Sequence, residues 1–145
     1  MPYAITLLLD DEAAARIMSL TEALDRAGLA GPDARNGWPP HVTLGIYPDD
    51  AEVDALRSTV AILGRSWRAL PIGFASLGVF PGNPRVLFVG PVVTSALLVR
   101  HAQLQARHRG EGHFASGTWV LHVALAQDLE GADAAGRALA VAAAA

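Results

Sequence analysis

One tetrad occurs twice in this chain. His41-Val42-Thr43-Leu44 and His122-Val123-Ala124-Leu125 both read His-Val-small-Leu, and their positions, 41 and 122, lie 81 residues apart in a sequence of 145. Each follows a tryptophan, in Trp38-Pro39-Pro40 and in Trp119-Val120-Leu121. Side chains alternate faces along a strand, so His41 and Thr43 share one face while Val42 and Leu44 share the other. The same geometry pairs His122 with Ala124 and Val123 with Leu125. A chain that carries one half-buried strand twice, a little over half its length apart, is expected to build two lobes related by approximate symmetry. With 12 valines and 19 leucines in the chain, one of the other four histidines repeats the pattern by composition in about 4% of cases. The repeat therefore has to be judged with the segments around it.

Those segments alternate. Tyr3 to Leu9 is short, apolar and bounded by acids, which predicts a buried strand. Asp10 or Asp11 is placed to cap a helix through roughly Gly28, with Ala14, Ile17, Met18, Thr21 and Leu24 along one face. Gly28 to Pro40 reads as a loop and His41 to Tyr47 as a strand. Asp49 or Asp50 is expected to cap a second helix ending near Gly64. Trp67 to Phe80 reads as one or two strands, Pro81-Gly82-Asn83-Pro84 as a turn, and Arg85 to Val89 as the returning strand of an antiparallel hairpin. A helix from Thr94 to about His108, a loop from Gly110 to Gly117, a strand from Thr118 to Ala126 and a helix from Asp133 to Ala143 complete the order β-α-β-α-β-β-α-β-α. The alanine tail Ala142 to Ala145 reads as a frayed helix end. The order predicts an α/β or α+β sandwich with helices over sheet faces, and the length predicts a single domain over residues 1–145.

Composition removes several chemistries. The absence of cysteine excludes disulfide scaffolds, thiolate metal sites and cysteine nucleophiles, and fits a reducing, cytoplasmic location. All 11 basic residues are arginine, which excludes Schiff-base lysines and the lysine-bearing phosphate loop. The formal net charge is −3, so no global basic field draws in a polyanion, and neither DNA nor long RNA is an expected partner. No apolar run reaches the roughly 18 residues of a spanning helix, and the acids at positions 10–12 interrupt any leader-like start. A soluble monomer without membrane contact is expected.

A strand histidine on its own is most often structural or simply exposed. Two in matched contexts permit more. One neutral imidazole takes a proton from water while one imidazolium gives a proton to a leaving alkoxide, which is in-line phosphoryl chemistry near neutral pH without metal or cofactor. A hydroxyl two residues along the strand, roughly 6–7 Å from the histidine α-carbon, is close enough to hold a phosphoryl oxygen. Thr43 supplies one.

At these residues the chain resembles the 2H phosphoesterases, which include the 2′-5′ RNA ligase-like proteins and the RNA 2′,3′-cyclic phosphodiesterases. Their signature is a pair of His-hydrophobic-Thr/Ser-hydrophobic motifs. The tetrad at His41 matches it fully, and the tetrad at His122 departs from it only at Ala124. Leu77-Gly78-Val79-Phe80-Pro81 with Pro84-Arg85-Val86-Leu87-Phe88-Val89-Gly90 looks like the family's central hairpin, so the likeness runs from Tyr3 to about Gln127. The resemblance implies an α+β, bilobal, pseudo-symmetric fold with two antiparallel sheets facing a central cleft and helices outside. It implies opening of a 2′,3′-cyclic phosphate, on a small nucleotide or an RNA end, to a 2′-phosphate. His122 would be the base, His41 the acid and Thr43 an oxygen-binding hydroxyl. Ala124 stands in place of the second hydroxyl, Gln127 where RNA-processing relatives often carry arginine, and Leu121 where proline is common. These departures motivate the alternative of a low-activity or inactive module that binds a phosphorylated nucleotide or RNA end. RNA ligation is a third reading, carried only by the family's name.

Of the remaining residues, Trp38 and Phe80 are candidates to stack a base, and Arg85 to meet a phosphate. Trp67 reads as core. His101 and His108 are about 10.5 Å apart along a helix axis, too far to share a metal, and read as packing or solvated groups. Glu111 and His113 read as plain loop, and Asp49-Asp50 as helix capping.

Overall fold

The computed structural model describes residues 1–29, 37–82 and 85–145. Most of the loop expected over Gly28 to Pro40, and half of the turn expected at Pro81 to Pro84, lie outside these residues. Among these residues, nine elements carry the expected order: β1 (Tyr3–Leu8), α1 (Asp11–Arg26), β2 (His41–Tyr47), α2 (Val53–Ser66), β3 (Phe74–Phe80), β4 (Arg85–Pro91), α3 (Ser95–Gln105), β5 (Val123–Leu129) and α4 (Gly131–Ala144), with a 3-10 turn at Gly112–Phe114 before β5. The fold is α+β with two small antiparallel sheets, β1-β2 and β3-β4-β5.

The chain forms two compact units, one of Met1–Leu7, Thr43–Gly73 and Val92–Leu121, the other of Leu8–Val42, Phe74–Pro91 and His122–Ala145. The first is built on Leu44, Leu63 and Leu104, with Ile5, Leu7, Trp67 and Trp119 packed against them. Trp67, expected in the core, packs against it while only half-buried, and its Nε1 donates to Gln103 Oε1 at 2.7 Å. In the second, Leu87, Val123 and Leu125 on one sheet face are buried together with Leu24 of α1 and with Ala135, Ala138 and Ala142 of α4. Both helices contact the sheet and each other. The alanine tail is thus no frayed end: α4 runs to Ala144, because small side chains at positions 135, 138 and 142 share one helical stripe.

Local chemistry fixes the boundaries. Asp10 caps α1, accepting from Ala13 N at 2.8 Å. Asp49 and Asp50 do not cap α2. A turn closed by Ala51 N and Pro48 O (3.1 Å) intervenes, Glu52 takes the cap position without a side-chain bond, and Asp49 lies 3.6 Å from the Met1 amino group. Thr94 caps α3 through Leu97 N, but the helix ends at Gln105, short of His108. The strand expected from Trp67 begins only at Phe74, since Trp67 N closes the end of α2 on Leu63 O at 2.9 Å. The strand expected from Thr118 begins at Val123. The Thr118 hydroxyl instead donates to Gly112 O at 2.9 Å, a local bond that competes with ladder pairing.

Candidate active site

Both tetrads show one burial pattern. Val42 and Leu44 are 0% exposed, Val123 and Leu125 1% and 3%, while His41, Thr43, His122 and Ala124 are half-buried. In each case the apolar pair anchors the segment and holds histidine and its small neighbour on the opposite face.

His41 enters β2 from Pro39-Pro40. Its Nδ1 lies 2.8 Å from Pro39 O. A carbonyl only accepts, so Nδ1 carries hydrogen and donates, which leaves Nε2 as the nitrogen that exchanges a proton. The Trp38 ring stands 6.4 Å from the imidazole, tilted by 54°.

His122 is walled by aromatic rings. Phe80 meets it edge-on at 4.9 Å and Phe88 at 5.7 Å, and the two phenyl rings lie 4.6 Å apart. The wall follows from register. Phe88 pairs with Gly78 of β3 and with Ala124 of β5, which puts these positions on one face. Gly78 makes room for the Phe88 ring, because a β-carbon there would run into Phe88 Cζ. Phe80, singled out from the sequence, stands against His122. Phe88 was overlooked, although its alternation with the buried Leu87 and Val89 signals the outward face.

Thr43 lies in the other unit, held from behind: Trp119 Nε1 donates to its carbonyl at 3.1 Å. The Trp119 ring stacks on His101, 4.0 Å between centroids and 5° between planes, and His101 Nε2 donates to Phe114 O at 2.8 Å. Burial pushes the His101 pKa below the usual histidine value, partly offset by that bond. His101 is thus a packing residue, as the sequence indicates, but one that braces the tryptophan holding Thr43. His108 binds the Thr59 hydroxyl at 2.8 Å. Nearby Tyr47 has its pKa pushed up to about 12 by burial.

A groove of about 420 Å³ runs beside His41. Trp38, Ala124 and Gln127 line it with His41, together with Glu22 and Asp25 of α1. Arg85 stands apart, in a second cavity that it shares with Asp128 and Glu130. Among the described residues no three His, Asp or Glu side chains are grouped to hold a metal ion, and no helix is long and apolar enough to cross a membrane.

The family model of the 2'-5' RNA ligase superfamily matches residues 9–145. The chain belongs to this superfamily. Both tetrads and the hairpin between them fall inside the matched span. The solved structure of Usb1 from Kluyveromyces marxianus is similar, with a TM-score of 0.54 and 16% identity, over 97% of this chain and 78% of that one. That likeness shows a shared 2H fold. A sequence search of curated proteins gives no match. Membership of the superfamily supports a phosphodiesterase-type activity.

Proposed function

We propose that the chain hydrolyses a cyclic phosphodiester, the 2′,3′-cyclic phosphate of a nucleotide or RNA end, to a 2′-phosphate by acid/base catalysis from two histidines. The reading rests on the shared burial pattern of the two tetrads, which turns each histidine away from the core. His122 takes a proton from a water whose oxygen attacks phosphorus. The bond from phosphorus to the 3′ oxygen breaks, and His41 Nε2 gives that oxygen its proton. The product is a 2′-phosphate with a free 3′ hydroxyl, and each histidine ends in the state in which the other began. The Nδ1 bond to Pro39 supports the role of His41, since it keeps Nε2 free to carry the transferred proton. Thr43, two residues along β2, is the donor for a phosphoryl oxygen. No step requires a metal.

Ala124 favours a second reading, a module that binds a phosphorylated nucleotide or RNA end and turns it over poorly. A hydrogen bond to a charged group contributes about 1.5–3 kcal/mol, so a missing hydroxyl slows the reaction roughly ten- to a hundred-fold while leaving the acid/base pair in place. The deciding assay offers 2′,3′-cyclic nucleotides and cyclic-phosphate-ended oligomers with and without chelator, and identifies the product. Hydrolysis to the 2′-phosphate that persists in chelator is expected. Binding without turnover selects the module, and activity lost to chelator but restored by zinc or manganese overturns the metal-free scheme.

A further inference from the structure

We propose that the groove beside His41 receives the nucleoside of the substrate, excludes any further phosphate, and prefers a base bearing an exocyclic amino group. The inference rests on the phosphodiesterase reading of His41 and adds a substrate class to it.

The groove is built along a strand edge. Val123–Gln127, five consecutive residues of β5, all line it. Side chains of a strand alternate faces, so consecutive residues share one cavity only along the strand's side. β5 is an outer strand of its sheet among the described residues, and the groove therefore presents peptide N–H and C=O groups as well as side chains. α1 forms the facing wall, and Trp38 to His41 form the end. A volume of about 420 Å³ falls within the range of small-molecule pockets. It accommodates a base with its sugar.

The chemistry of the walls narrows the occupant. Trp38 is 58% exposed, with its ring beside the His41 imidazole, so a base stacked on it stands next to the group that handles its own cyclic phosphate. Glu22 and Asp25 lie three residues apart on α1 and so share a helical face. Among the described residues neither is in an ion pair and no arginine lines the groove. Two neighbouring carboxylates repel a second phosphate. They accept hydrogen bonds from the amino groups of adenine, guanine and cytosine, whereas uracil flanks its one N3–H with two carbonyl oxygens. A mononucleoside 2′,3′-cyclic phosphate fits this pattern, and the body of an RNA strand does not.

The test is calorimetric titration of the full chain with adenosine, guanosine, cytidine and uridine, and with adenosine 5′-monophosphate. The three amino-bearing nucleosides are expected to bind about five-fold or more tighter than uridine, and adenosine tighter than its 5′-monophosphate. Glu22→Gln with Asp25→Asn should narrow both differences, and Trp38→Ala should weaken all four nucleosides, in variants whose melting temperatures show them folded. Equal binding of the four nucleosides, tighter binding of the monophosphate, or indifference to these substitutions overturns the assignment. So does binding of an arginine-rich peptide where no nucleoside binds. The titration contains no cyclic phosphate, so base-selective binding without turnover sinks the phosphodiesterase reading alone. Turnover of all four cyclic nucleotides with equal kcat/KM sinks the groove assignment alone.

Discussion

At the residue scale the two tetrads differ in one side chain, and that difference is open to experiment. Ala124 occupies the place relative to His122 that Thr43 holds relative to His41. Ala124→Thr adds a donor on the face of His122, where in the proposed mechanism a phosphoryl oxygen gains charge in the transition state. A preorganised donor of this kind contributes a few kcal/mol, so cyclic-phosphodiesterase activity should rise roughly ten-fold or more. Threonine suits a strand, so stability should change little. Thr43→Ala should lower the same rate. Steady-state kinetics on one 2′,3′-cyclic nucleotide reads both; a neutral Ala124→Thr beside a harmless Thr43→Ala shows that the face is not organised around a phosphoryl group. His101 carries a second prediction. Its pKa is lowered by burial, so the folded state resists protonation while the unfolded chain, near the ordinary 6.5, does not. Its contribution is therefore fully present above pH 6.5 and is lost as pH falls through the lowered value. Urea denaturation should show stability falling between pH 7.5 and pH 5, and His101→Asn should flatten that dependence. A slope unchanged in the variant assigns the acid sensitivity to other groups.

At the element scale the hairpin of β3 and β4 builds the wall behind His122, and Gly78 is its most exacting position. Gly78→Ala drives a methyl group into the Phe88 ring, an overpacking that costs about 1–3 kcal/mol. A lower melting temperature, together with a shifted His122 imidazole resonance, is the expected result. An unchanged resonance shows that Phe88 does not govern the environment of His122. The elements also show what a sequence reveals. The Asp10 cap, the alternation of both tetrads and the hairpin are legible because each depends on residues within a few positions of one another. The start of β5 is not, because the Thr118 hydroxyl bonds to Gly112 in the preceding loop and apolar pattern carries no trace of that bond. Nor is the cap of α2, where a turn at Pro48 shifts the helix beyond both aspartates. The groove is the least legible feature. It brings α1, Trp38 and β5 together from distant parts of the chain, and no local motif marks Glu22 and Asp25 as facing it.

At the scale of the whole molecule, the chain is an α+β member of the 2'-5' RNA ligase superfamily, and the proposed chemistry turns on two imidazoles carried by repeated segments 81 positions apart. A chain of net charge −3 without lysine has no broad attraction for polyanions, which agrees with the proposed local recognition of a phosphate and the nucleoside attached to it. The measurement that bears most directly on this account is the pH–rate profile for a 2′,3′-cyclic nucleotide in chelator, recorded for the parent, His41→Ala and His122→Ala, with the melting temperature of each. The account predicts a bell for the parent, which reports one neutral and one protonated group. It predicts a loss of most turnover in each variant at nearly unchanged melting temperature, because both imidazoles face away from the core. Near-parental rates in either variant, or a large fall in melting temperature in both, would contradict it.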